Sequence, residues 1–130
     1  MSVETDVRDL HAALGIHSQG VPGWSPEAII ELRKTLIREE AEEALAALAD
    51  HEPLEDVAKE LCDVVVVAVG AAVALGIPFD ECWRRVHDSN MAKAGGPVRE
   101  DGKILKPPGW RPPDLRSALY PLSSDAGSAP

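Results

Sequence analysis

Residues 54–75 read LEDVAKELCDVVVVAVGAAVAL, and the reading of this stretch decides the fold. Its centre, Val64-Val65-Val66-Val67, has the β-branched composition of a strand. A continuous apolar run has no periodicity with which to choose between strand and helix, so length must decide. Strands usually run about five or six residues. This segment is far longer, it is flanked by Ala, Leu and Glu, and Gly76 stands where a helix C-cap belongs. A helix over 54–75 is therefore predicted. After Asp63 it has no polar face, so it should be buried on all sides. A chain of 130 residues cannot easily cover such a helix alone, and a homo-oligomer, dimer or tetramer, is expected to complete the core. The apolar run from Val64 to Ile77 is too short to span a bilayer.

Helical signals continue on both sides. Val7, Leu10 and Leu14 fall at helical spacing and Gly15 stops the pattern, which predicts a short helix over 6–14. Residues 16–24 are a Gly- and Pro-containing loop. Ser25-Pro26-Glu27 reads as a helix start, with Ser25 as N-cap and Pro26 in the first turn. That helix runs to about Asp50, where His51-Glu52-Pro53 breaks it. A fourth helix is predicted from Pro78 to about Lys93, with Phe79, Cys82, Val86 and Asn90 on one face. Beyond Gly95-Gly96-Pro97, the stretch to Leu115 holds Asp101-Gly102 and two Pro-Pro pairs and should form an ordered surface loop. The expected architecture is an all-α helical bundle. One domain spans 1–116, and a disordered tail spans 117–130.

The formal net charge of −9 argues against a chain-wide footprint for nucleic acid or an anionic membrane. The charge is segregated. From Glu27 to Asp63 twelve acids face only Arg33, Lys34, Arg38 and Lys59, whereas from Arg84 to Arg116 eight basic residues face four acids. An acidic half followed by a basic half suits a metal site beside an anionic ligand. Charge begins at Glu4 with no apolar stretch behind it, so no leader is expected. Cys62 and Cys82 share no metal-type spacing and read as buried free thiols of a cytoplasmic protein.

The acids of the second and third helices stand where the pattern asks for core. Ile29, Leu36, Ile37, Ala44, Ala47 and Leu48 define an apolar face. At 100° per residue Glu40 falls in its middle, Glu43 beside it and Glu39 at its flank, while Glu31 and Glu42 point away. Glu60 and Asp63 are three apart on the third helix, hence on one face. Carboxylates at core positions need partners, because a bare buried charge is very costly. Arg33, on the same face, can pair with one of them but not all. If the two helices pack antiparallel, five acids converge. Their repulsion then calls for a hard cation, Mg²⁺ or alternatively Mn²⁺.

Glu39-Glu40-Ala41-Glu42-Glu43 followed by Glu60-Leu61-Cys62-Asp63 resembles the paired motif of MazG-like all-α nucleoside triphosphate pyrophosphohydrolases, a superfamily with dimeric dUTPases and phosphoribosyl-ATP pyrophosphohydrolases. Residues 86–93, VHDSNMAK, and 101–115, DGKILKPPGWRPPDL, resemble the C-terminal part of a branch that includes dUTP-hydrolysing members. The resemblance covers about residues 5–116. It implies a bundle built by helices of two subunits, hydrolysis between the α- and β-phosphates, and Mg²⁺ held at Glu39, Glu40, Glu43, Glu60 and Asp63. Glu40 is the candidate for orienting or deprotonating the attacking water.

On that reading Asn90 contacts sugar or base and Lys93 a phosphate; the plainer alternative for Lys93 is a lysine placed well for the helix dipole. Lys103, Lys106 and Arg111 share a loop with Trp110, where the cations suit phosphates and the indole can stack on or wall off a base. Lys106, Trp110 and Arg111 are accordingly candidate substrate-binding residues. Trp24 and Trp83 read as core or interface, and Arg84 and Arg85 as surface. The expected function is nucleotide-pool hydrolysis of a (d)NTP, dUTP first, to monophosphate and pyrophosphate. The alternatives are a phosphoribosyl-ATP pyrophosphohydrolase and a non-catalytic metal- or nucleotide-binding regulator.

Overall fold

A computed structural model describes residues 1–122; residues 123–130, the end of the expected tail, lie outside the described residues. Among the described residues the helices are, in order, α1 (Val3–Leu14), α2 (Glu27–Ala49), α3 (Leu54–Ala74), α4 (Phe79–Met91) and α5 (Arg116–Leu119). Among the described residues no strand forms, and the Val98–Ile104 pairing is an isolated bridge. The fold is all-α, as the sequence predicts. The four consecutive valines lie inside α3, so length and flanking residues overrode their strand preference. Among the described residues no single helix is long and apolar enough to cross a membrane.

Helix ends follow local chemistry. The Ser2 hydroxyl accepts from the Thr5 amide at 3.1 Å and starts α1, and Gly15, in the left-handed region, ends it. The start of α2 departs from expectation. Pro26 is the N-cap residue and makes no side-chain cap bond. Ser25 is instead buried, and its hydroxyl donates to the Ala74 carbonyl at 2.7 Å. A helix C-terminus offers unsatisfied carbonyls, and this seryl group takes one of them. The loop ahead of α2 is thereby sewn to the end of α3, where the Gln19 amide also bonds the Val73 carbonyl.

The chain divides into two compact units, Met1–Phe79 and Asp80–Pro130. In the first, α3 is the central element, with α1 and α2 each packed on it. Val69 and Val73 of α3 are fully buried with Val7 of α1, and Phe79 packs against them. Further along α3, Val57 is buried, as are Ala44 and Ala47 of α2. His11 is 2% exposed; it packs inside α1's inner face as a histidine with its Nδ1 3.3 Å from the His17 carbonyl. Not every expected core position is covered within one chain. Leu61 and Val65 of α3 remain about half exposed, so α3 is not enclosed on all sides. Trp24 and Trp83 are exposed, and Cys62 is exposed while Cys82 is buried. Cys62 follows Leu61 on the uncovered side, which the sequence pattern did not separate from the covered one.

In the second unit the loop after α4 is ordered by hydrogen bonds. The Leu105 amide donates to the Pro97 carbonyl and the Arg99 amide to the Lys103 carbonyl, closing a turn at Asp101-Gly102. The Arg85 guanidinium donates to the Asp114 carbonyl at 2.8 Å, and the Trp110 indole N–H to the Ser89 carbonyl at 2.8 Å, pinning the loop onto α4. Arg84 is exposed as expected. The tail expected from residue 117 begins inside α5, where the Asp114 carboxylate accepts from the Ser117 amide and Ala118 is buried.

Gly76 makes the turn after α3 feasible. Its φ is +69°, and a Cβ there would overlap the Val21 carbonyl. Gly76→Ala should therefore cost about 2–4 kcal/mol, the combination of left-handed strain and overpacking. Urea unfolding measures this as a lowered midpoint at unchanged slope.

Candidate active site

α2 and α3 run antiparallel, and residue pairs across their seam show the register. Arg33 lies against Gly70, and Glu40 lies with Asp63 and Glu60. Each helix advances seven residues between those two levels, about 10 Å along the axis. The loop 50–53 between the helices is short enough to impose this antiparallel hairpin.

Glu40, Glu60 and Asp63 each bring one carboxylate oxygen within 4.8 Å of the others. All three are partly buried. Oε2 of Glu40 and Oε2 of Glu60 are shut off from solvent and accept no hydrogen bond. Orphaned buried oxygens are rare, because each loses its hydration without return. Three carboxylates converging on one point is the donor set a hard dication takes, so these residues fit a divalent metal. Burial raises the proton affinity of Glu40 above the ordinary value of 4.5, and the charges of Glu43, Asp63 and Glu60 raise it further.

The five acids singled out by the sequence separate into two groups. Glu40, Glu60 and Asp63 are brought together. Glu43 is exposed, yet close enough to act on Glu40. Glu39 is exposed and outside the three-acid group. Arg33 does not join an acid. Its side chain is nine-tenths buried beside His11 and Gly70, where burial lowers its pKa, and among the described residues no carboxylate pairs with it.

One participant escaped the sequence reading. The Lys59 ammonium lies 2.8 Å from Asp63 Oδ2 and 3.7 Å from Glu60 Oε1. Its i,i+4 spacing to Asp63 is the sequence signal for this pair. The hydrogen bond to Asp63, then the charges of Asp63 and Glu60, raise its pKa.

The basic candidates belong to the second unit. Lys93 and Lys106 place their ammonium groups 5.3 and 4.6 Å from the centre of the Trp110 ring. Both are cation–π distances, so the indole gathers two cations. Asn90 and Arg111 are exposed, and the Arg111 carbonyl accepts from the Ser89 hydroxyl at 3.2 Å.

A model of the phosphoribosyl-ATP pyrophosphohydrolase family matches residues 7–90. The chain belongs to that family. The match spans α1 to α4 up to Asn90, so it includes every acid of the α2–α3 seam. Membership places the protein among the nucleotide pyrophosphohydrolases and accounts for an acidic site inside an all-helical fold. No curated protein matches the chain.

The raised affinity of Glu40 has a stability consequence. In metal-free protein the folded state holds this proton more tightly than the unfolded state does. Stability is therefore lost as pH rises from the unfolded value of 4.5 through the folded one. Glu40→Gln removes the penalty. Without metal its melting temperature should exceed wild type at pH 7 and lose that advantage at pH 4, as thermal melts across pH would measure.

Proposed function

We propose that this protein is a Mg²⁺-dependent nucleoside triphosphate pyrophosphohydrolase that cleaves the α–β bond of a deoxynucleotide, dUTP first, to monophosphate and pyrophosphate. The observation that carries the reading is the pair of buried, partnerless oxygens of Glu40 and Glu60 beside Asp63, in a chain of pyrophosphohydrolase family. Glu40, Glu60 and Asp63 would hold the ion, with Glu43 and Glu39 at its outer edge; Mn²⁺ suits the same oxygens. When bound, the dication neutralises phosphate charge and makes bound water more acidic. Glu40, central on the apolar stripe of α2 and raised in proton affinity, orients the attacking water and accepts its proton. Lys93, Lys106 and Arg111 are assigned to phosphate by their charge, Trp110 to the base, and Asn90 to sugar or base.

The substrate preference rests on residues 101–115, which lie outside the matched 7–90 and resemble the dUTP-hydrolysing branch. The matched family itself favours a second reading, phosphoribosyl-ATP as substrate. The catalytic unit is taken as residues 1–116, working in the cytoplasm without nucleic acid or membrane as partner. A homodimer or homotetramer completes it, because Leu45, Leu48, Leu54, Leu61 and Val65 of α2 and α3 stay substantially exposed.

A panel of (d)NTPs and phosphoribosyl-ATP with Mg²⁺ decides among these. The expected products are a nucleoside monophosphate and pyrophosphate, with dUTP the fastest. Orthophosphate plus diphosphate would reject α–β cleavage, and turnover of phosphoribosyl-ATP alone would select the second reading. Glu40→Gln and Asp63→Asn should each lower kcat/KM about 100-fold or more. Light scattering should give a multiple of the single-chain mass, and a monomer at assay concentration would reject the oligomer.

A further inference from the structure

The acid cluster already has a cation of its own. Lys59 reaches Asp63 Oδ2 at 2.8 Å and Glu60 Oε1 at 3.7 Å, and its side chain is two-thirds exposed. It is therefore tied to the cluster at its tip and free in solvent along its stem. Asp63 cannot give the same oxygen both to this ammonium at hydrogen-bond distance and to a small dication at about 2 Å without bringing two positive charges together. Charge counting gives Lys59 a second use. Glu40, Glu60 and Asp63 sum to −3 when ionised, and one dication leaves −1, which still repels a phosphate. With the ammonium beside it the cluster becomes neutral.

We propose that Lys59 is the resident counter-ion of this site: the divalent cation displaces its ammonium from Asp63, and the displaced ammonium then binds a phosphate oxygen of the substrate. The inference rests on the metal reading above and deepens it. No bond is made or broken in the exchange; one cation replaces another, and the ammonium moves from a carboxylate to a phosphate. Lys59 acts here as a binding and positioning residue, with opposite effects on its two ligands. It opposes the metal and favours the anion. A merely structural lysine would move both affinities in one direction or neither.

The test uses the full chain, with Mn²⁺ as metal probe and inorganic pyrophosphate as anion probe. In nucleotide-free protein, Lys59→Met should bind Mn²⁺ about ten-fold more tightly than wild type at low salt, and the gain should shrink as ionic strength rises. At saturating Mn²⁺ the same variant should bind pyrophosphate about ten-fold more weakly, whereas Lys59→Arg should keep both affinities within about two-fold. Electron paramagnetic resonance of free Mn²⁺ reads the first affinity and calorimetry the second. An Mn²⁺ affinity that is unchanged or weaker in Lys59→Met, or a pyrophosphate affinity that is unchanged, overturns the proposal while leaving the metal site intact. Wild type that binds no Mn²⁺ overturns the metal reading and this inference together. Because Lys59 is exposed, the Met variant should fold, and Lys59→Gln, which keeps a polar tip, should reproduce its two shifts.

Discussion

Two carboxylate oxygens in the seam between α2 and α3 are withdrawn from water with nothing to bond. Nothing in a helical bundle produces that arrangement for stability. A side chain of matching volume without charge would pack there at lower cost. The seam tolerates it because Asp63 and Glu60 sit where α3 changes from a mixed to an apolar sequence, so water still reaches one edge of the cluster. The rest of the first unit supports this local cost. α3 is held on one side by α1 through Val7, Val69 and Val73, and at its end by Ser25 and the loop that Gly76 lets approach.

The core that does this is thin. Val and Ala build most of it, and few large side chains are fully enclosed. Small residues let α2 and α3 approach closely, as Ala44 and Ala47 do, which brings carboxylates on opposite helices within a few ångströms. The same economy leaves apolar side chains of both helices in solvent. Close helix approach at the site and an uncovered outer face are two results of one choice of residues.

Much of this was legible in the sequence, for identifiable reasons. The helices were, because α1 and α2 carry spaced apolar residues and α3 is too long for a strand. Glu40 was, because a carboxylate in the middle of an apolar stripe contradicts its surroundings. The wheel also put Glu43 beside Glu40 and Glu39 at the flank, but it gives direction and not depth, so it did not show that both stay exposed. Arg33 was legible as a core-facing cation, yet not its company. Its niche depends on Gly70, which sequence periodicity treats as a gap, and on His11 from another helix. The Ser25 role was hidden for a similar reason. Its partner, Ala74, is forty-nine positions away, while the N-cap signature is wholly local. In the second unit the turn at Asp101-Gly102 could be read from residue chemistry, but not the two ammonium groups on Trp110.

The placement of positive charge along the seam completes the logic. A guanidinium on α2, two turns from Glu40, would offset part of the cluster's charge if it reached the acids. Arg33 is kept from doing so. A side chain at position 70 would place its Cβ 2.7 Å from the Arg33 guanidinium and 3.1 Å from His11, so the glycine creates the niche that holds the charge away. The cation left in contact with the acids is Lys59, which is bound at its tip and solvated along its stem. A buried, immobile charge would have fixed the acids in a permanent salt bridge. An exposed one offsets part of their charge without fixing them in a buried ion pair.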